Sequence, residues 1–160
     1  MKNDKILLDH GSGGKIANQL IADMMLPAFN NPYLSQGNDG AILDLTSGRL
    51  AFSTDSYVVG TLFFSAWYLG DLAVNGTVND IAMCGAEPKY LSAGFIIEEG
   101  FLINDLEKII LSMSEAAQKA GVYIVTGDTK VVPKGAADKI FINTAGIGII
   151  PGNVQISGDL

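Results

Sequence analysis

Cysteine is all but missing from this chain: Cys84 is the only one in 160 residues. That excludes a disulfide framework and any multi-cysteine metal centre built within one chain. Histidine is equally scarce, and the single His10 carries no argument alone. Charge is sparse too, at 17% of residues, and what there is leans acidic, to a net −7. The balance argues against nucleic acid or an anionic membrane as a general partner. An anionic ligand would need local cations or a metal to offset that field. No apolar run reaches the length of a membrane span, and the start, Met1-Lys2-Asn3-Asp4, leads into no such run, so a cytoplasmic location is the expectation. Internal repeats are absent as well.

Apolar residues, by contrast, make up 48% of the chain, which excludes disorder as a description of the whole. At this length one domain buries roughly two-thirds of its unfolded surface. Many apolar residues with few charges imply more buried surface than one small domain hides, and a subunit or domain interface accounts for it. The 19 glycines recur at element ends and beside acidic residues, as tight turns and close backbone approach require.

The chain is organised around Leu72 to Ala86. At helical spacing Val74, Val78, Ile81, Ala82 and Gly85 share one face, while Asn75, Gly76, Asn79 and Asp80 occupy the other. Cys84 falls within the same predicted helix. Gly, Asn and Asp are all poor interior helix formers, Gly by about 1 kcal/mol relative to Ala. A helix that brings its backbone and two polar heads close to a ligand would have a use for them.

Before it, His10-Gly11-Ser12-Gly13-Gly14-Lys15 leads into a helix with Ile16, Leu20 and Met24 on one side, stopped by Pro27. This loop is not a Walker A motif, since Asp9 stands at the first glycine position and Ile16 at the hydroxyl position. An anion-binding loop and a flexible hinge are both open readings. Asn38 to Leu45 and Arg49 to Asp55 then read as a β-hairpin around Thr46-Ser47-Gly48. In that register Asp39 opposes Asp55 at roughly 5 Å. Two carboxylates so placed repel by about 3 kcal/mol at an effective dielectric near 20. A divalent cation between them reverses the sign, and Mg²⁺ prefers carboxylate oxygens. The alternative is two strand-end acids in solvent.

Ser56 to Leu69 is aromatic-rich, as core or interface, and Pro88-Lys89-Tyr90 is expected to end the central helix. Leu91, Ala93, Phe95 and Ile97 alternate along a strand. Asn104-x-x-Glu107 reads as a capping-box start to a helix with Leu106, Ile109, Ile110, Met113, Ala117 and Ala120 on one face, stopped at Gly121. Val122 to Thr126 is a buried strand ending in Gly127-Asp128-Thr129-Lys130, which suits either phosphate and metal chemistry or a polar turn. Pro133 to Asp138 is a turn and Lys139 to Ile150 a last strand, with Gly146 and Gly148 admitting close contact. The order implies an α/β or α+β fold, a mixed sheet of about five strands with helices on one face. Residues 1–155 form the domain and 156–160 begin a linker. Asp39, Asp55, Asp80 and Asp128, with Lys130, make a coherent metal–phosphate set for phosphoryl transfer without a P-loop.

Six ordered segments carry a family resemblance: His10 to Gly14, Asn38 to Ala41, Phe52 to Val59, Gly76 to Ala82, Gly127 to Val132 and Ile142 to Gly148. Together they resemble the HypE family, the hydrogenase expression/formation proteins of [NiFe]-hydrogenase maturation, within the PurM-like ATP-binding superfamily. The resemblance implies an ATP-dependent dehydration: a carbamoyl group received from HypF on a C-terminal cysteine is phosphorylated on oxygen and loses phosphate to leave a thiocyanate. It implies that Asp39, Asp55 and Asp80 hold Mg²⁺ and phosphates, supported by Asn79, Asp128 and Thr129. Lys130 would act catalytically at the thiocarboxamide nitrogen. It further implies a homodimer whose sheets join into a barrel, with HypF-like and HypC/HypD-like proteins as partners.

One departure stands out: the family's carrier cysteine follows a second domain, whereas this sequence stops at Ser157-Gly158-Asp159-Leu160. The expectation is an N-terminal half that does not turn over alone. Selenophosphate synthetase is a rival, but its reactive Cys or Sec is replaced here by Ser12. Thiamine-monophosphate kinase is another, although its G-D-D-A segment is replaced by Asn38-Asp39-Gly40-Ala41. A non-catalytic dimerisation module is the rival from a different class.

Overall fold

The computed structural model describes residues 4–36, 38–45, 48–58 and 66–156, without the side chain of Trp67. Thr46 and Ser47 of the expected hairpin turn, most of the aromatic segment between Val58 and Ala66, and residues 157–160 lie outside that description. Four strands, β1 (Arg49–Val58), β2 (Glu87–Glu98), β3 (Tyr123–Val132) and β4 (Ile140–Ile150), lie in the order β1-β4-β2-β3. β4 runs antiparallel to both β1 and β2, and β2 runs parallel to β3. The parallel pair is joined through α4 (Ile103–Ala120), the crossover that a parallel pairing needs.

The expected hairpin does not form. Residues 38–45 carry no strand, and Ile42 is left 71% exposed. β1 instead pairs along its whole length with β4, from Arg49↔Ile150 to Val58↔Phe141. β1 is an edge strand, so this pairing leaves its other side open, and the strand-like alternation in Ala41 to Leu45 is not enough by itself to build a ladder there. The sheet therefore has four strands rather than five among the described residues.

Strand alternation divides this sheet sharply. Leu91, Ala93, Phe95 and Ile97 of β2 are buried, as are Ile140, Ile142 and Thr144 of β4 and Ala51 and Tyr57 of β1. They face a layer of α3 (Ala66–Met83) and α4. Beside α4 lies the N-terminal helical run, α1 (Lys15–Leu20), a π-type stretch Ile21–Met25, and α2 (Leu26–Ala28). That run passes through Pro27 instead of stopping there, and it buries Ala17 and Leu20 while Ile16 stays exposed. Among the described residues the opposite sheet face is bare of α-helices: Leu50, Phe52, Val58 and Ile96 are exposed, and Tyr33 packs on one corner of it, against Tyr90 and the half-exposed Tyr123.

α4 buries the expected stripe, with Leu106, Ile109, Ile110 and Met113 inaccessible, and ends at a left-handed Gly121. Its start differs from the capping-box expectation: the N-cap is Leu102 and no side chain caps it. Asn104 thus lies inside the first turn, where its side chain is past the exposed N–H groups it would have to bond. α3 stops at Met83, earlier than expected. Gly85, at φ 76°, takes the left-handed conformation that ends a helix, and Gly85 N donates to Ala82 O at 2.9 Å. Pro88 to Tyr90 consequently belong to β2, and Cys84 is an exposed residue of the turn rather than a packed helical one. Ala82, expected on the inner face, is exposed, and the fully buried Thr77 takes part in that face instead.

Candidate functional site at the β1–α3 edge

Ser53, Asp55 and Tyr57 share the helix-side face of β1, being paired with Gly146, Thr144 and Ile142 of β4. α3 crosses directly above. It is fastened there by a buried hydroxyl pair, Thr77 Oγ1 to Thr144 Oγ1 at 2.7 Å, while Thr144 Oγ1 donates to the Ala73 carbonyl at 2.6 Å. This anchor sets the height of the helix one turn before Asn79 and Asp80. Ser53 Oγ donates to Asp80 Oδ2 at 3.2 Å, and Asp55 Oδ1 accepts from Ser56 N at 2.8 Å. Neither carboxylate has an ion-pair partner among the described residues.

Tyr57 lies beyond Asp55 on the same face of β1, its hydroxyl against Gly76 of α3. Its ring is buried and its hydroxyl has no hydrogen-bond partner among the described residues. Burial pushes the phenol above its ordinary range; the nearby Thr77 hydroxyl works in the opposite direction, and the Asp55 carboxylate, close enough to act through both charge and hydrogen bonding, and the Asp80 charge raise it further. None of these groups meets the phenol oxygen in a well-formed hydrogen bond. Thr77 gives its hydroxyl proton to Thr144, so it has none to donate to the phenol oxygen. Gly76 gains its explanation here. A methyl group at that position would overlap the Tyr57 hydroxyl. The glycine makes room for a neighbouring strand's side chain, not directly for a ligand.

On the bare face the site has a support that the sequence reading missed. Asn143 Nδ2 donates to the Asp55 carbonyl at 3.0 Å and to Ser56 Oγ at 2.9 Å. It thereby holds the β1 backbone on either side of the Asp55 side chain. Its only signal in the sequence was its place in the Ile142 to Gly148 segment. Tyr57 was hidden in the same way, as one aromatic residue in an aromatic-rich stretch.

The remaining predicted residues lie elsewhere. Asp128, Thr129 and Lys130 are inside β3, not at its end, on the far edge of the sheet. Two strands intervene, which sets them about 14 Å from β1 at ordinary interstrand spacing. Asp128 and Lys130 are exposed; by register they fall on the bare face, with Gly94 and Ile96. Thr129 points to the helix side, where its hydroxyl is 3.7 Å from Met25 Sδ. Asp39 is exposed on the irregular stretch 38–45, and no ladder holds it opposite Asp55. Asn79 is exposed beside Asp80. Among the described residues no group of three or more His, Cys, Asp or Glu side chains is gathered as a metal cage. The glycine-rich start is docked rather than free: His10 is buried, its Nδ1 accepts from Leu7 N at 2.9 Å, and Gly11 lies against the Val131 backbone. With Met25, Phe95 and Thr129 it borders a cavity of about 370 Å³.

A two-layer α+β unit with an acidic site between an edge strand and the helix above it defines the class. The family described as "AIR synthase related protein, N-terminal domain" matches residues 37–150, and this chain belongs to it. Carbamoyl dehydratase HypE of Escherichia coli K12 is 53% identical over 157 residues, covering 95% of this chain and 47% of the relative. HypE of Bradyrhizobium diazoefficiens is 52% identical over 159 residues, covering 99% of this chain and 46% of the relative. The chain thus spans about half the length of the curated relatives it matches. A crystal structure of HypE in complex with ATP superposes with a TM-score of 0.90 at 58% identity, covering 96% of this chain and 45% of that one. A thiamine-monophosphate kinase from Stenotrophomonas maltophilia shares the fold, with a TM-score of 0.62 at 17% identity over 86% of this chain and 42% of that one.

Proposed function

We propose that these 160 residues are the Mg²⁺-ATP-binding and dimerising half of a HypE-type carbamoyl dehydratase. The whole protein would accept a carbamoyl group on a terminal cysteine from a HypF-like partner and convert it to a thiocyanate, delivering it to HypC/HypD-like maturation proteins in the cytoplasm. One observation carries the reading. Asp55 and Asp80, both without a cationic partner among the described residues, lie at one edge of the sheet beside an orphaned buried hydroxyl, in a chain that superposes closely on a HypE–ATP complex.

The donor set fits a hard cation: it offers only oxygens. Mg²⁺ is typically held by one or two carboxylates with the rest of its shell from water and substrate phosphates, so a pair of acids without a third is a suitable half-cage. Asp55 and Asp80 would hold the ion, and Asp39 would join from its irregular stretch. When bound, Mg²⁺ supplies charge neutralisation at the phosphates. Ser53 keeps Asp80 oriented, and Asn143 keeps the Asp55 backbone in place. Asn79, beside Asp80, would line the nucleotide; Asp128, Thr129 and Lys130, two strands away on β3, would serve it from a second copy across the dimer, with Lys130 taking part in deprotonating the thiocarboxamide nitrogen. The bare sheet face would meet its copy in a homodimer, which covers apolar surface too extensive for a monomer.

Calorimetric titration tests the reading. Mg-ATP should bind to the chain, and Asp80→Asn should weaken binding at least tenfold with no fall in the melting temperature of the unliganded protein. Absence of heat with the native sequence overturns the proposal.

A further inference from the structure

The hydroxyl of Tyr57 is a cost the fold could avoid. A buried hydroxyl without a partner is destabilising, and phenylalanine would fill the same space without it. The chain also keeps a glycine, a poor helix former, in the middle of α3, in the position that lets this hydroxyl fit. Two unfavourable choices therefore sustain one unsatisfied oxygen. Packing explains neither, since the ring would pack as well without the hydroxyl.

The surroundings narrow what the group can serve. Its oxygen is closed off from solvent, so no ligand reaches it directly. Thr77 gives its hydroxyl proton to Thr144, whose own proton goes to the Ala73 carbonyl, so toward Tyr57 it is a neutral acceptor only. The charged acceptors near the hydroxyl, which make the stronger bonds, are the carboxylates of Asp55, two residues back on the same face of β1, and of Asp80. Asp80 already accepts from Ser53. Asp55 has one oxygen engaged by its neighbour Ser56 N, which leaves the other oxygen available. A carboxylate that turns toward a cation exposes its second oxygen to a different set of donors.

Resting on the reading of this edge as a Mg²⁺-ATP site, we propose that Tyr57 is a positioning residue: its hydroxyl donates a hydrogen bond to Asp55 in the nucleotide-loaded state and not in the unloaded one. The residue acts through Asp55 and touches neither the metal nor the phosphates. Unloaded, the hydroxyl destabilises the fold; loaded, it holds Asp55 in the orientation that binding requires. Charge-assisted bonds of this kind are stronger than neutral ones.

The assignment predicts opposite signs in two measurements on Tyr57→Phe. Its unliganded melting temperature should equal or exceed that of the native protein, whereas its calorimetric affinity for Mg-ATP should fall about tenfold. Because the action passes through Asp55, Tyr57→Phe should weaken binding no further in an Asp55→Asn background. A Tyr57→Phe protein that binds Mg-ATP as tightly as the native one overturns the inference while the site assignment stands. So does a clear fall in unliganded melting temperature, which would show the hydroxyl already bonded. Full additivity with Asp55→Asn also overturns it. Failure of the native protein to bind Mg-ATP instead overturns the underlying site assignment and this inference with it.

Discussion

The two faces of the sheet have the same backbone and opposite chemistry. Toward α3 and α4 the strands present Leu91, Ile97, Ile140 and Ile142, each at 1% exposure or less. Away from the helices they present Phe52 at 70% and Val58 at 58%. The covered face accounts for the stability of the single chain. The bare face is nearly as apolar in its residue choice, yet it contributes little until something covers it. The candidate site belongs to neither interior: Asp55 and Asp80 meet where β1 forms the sheet edge beneath α3. A helix fastened to β4 by a buried hydroxyl pair, above an edge strand held by its full ladder with β4, gives a rigid base with open solvent beside it, as ion binding requires.

The comparison can be broken most directly on the bare face. Phe52→Asp should convert a dimer into a particle of single-chain mass in light scattering, and leave the circular dichroism of the folded chain unchanged. A native protein that is monomeric at every concentration would remove the interface from the account. On the covered face, Ile142→Ala should lower unfolding free energy by about 2–5 kcal/mol in urea titrations, because it leaves a cavity against α3. A cost as small as that of a surface substitution would mean that the two faces do not differ as described.

Two smaller effects sharpen the boundary. Gly76→Ala should destabilise by about 1–3 kcal/mol through overpacking on the Tyr57 hydroxyl, despite alanine's better helix propensity. Combining it with Tyr57→Phe should restore part of that loss, and a double variant no more stable than Gly76→Ala would point to another clash. Asn104→Ala, finally, should change stability by less than about 0.5 kcal/mol, since exposed substitutions away from special features do little. A genuine N-cap would cost about 1 kcal/mol, so thermal unfolding separates the two.

How much of this was legible depended on whether a signal was periodic or relational. Alternation placed Leu91 to Ile97, and the helical stripe of α4 was readable down to its stop at Gly121. Asp80 was readable as the polar head of α3. The hairpin was not, because alternation in Ala41 to Leu45 does not by itself secure a ladder on the open edge of β1. Gly76 was flagged correctly as unusual, but its neighbour is nineteen positions earlier, on another element. Sequence spacing also grouped Asp128 and Lys130 with Asp55. The strand order β1-β4-β2-β3 puts them at opposite edges, and only the topology supplies that distance.

The central claim is spatial, that Mg-ATP engages the β1–α3 edge, and hydrogen–deuterium exchange with and without Mg-ATP tests it most directly. The account predicts slowed exchange in the backbone of Ser53 to Tyr57 and of Gly76 to Asp80, reversed by chelating the metal. Slowed exchange confined to β3, with both of those segments unchanged, would contradict it.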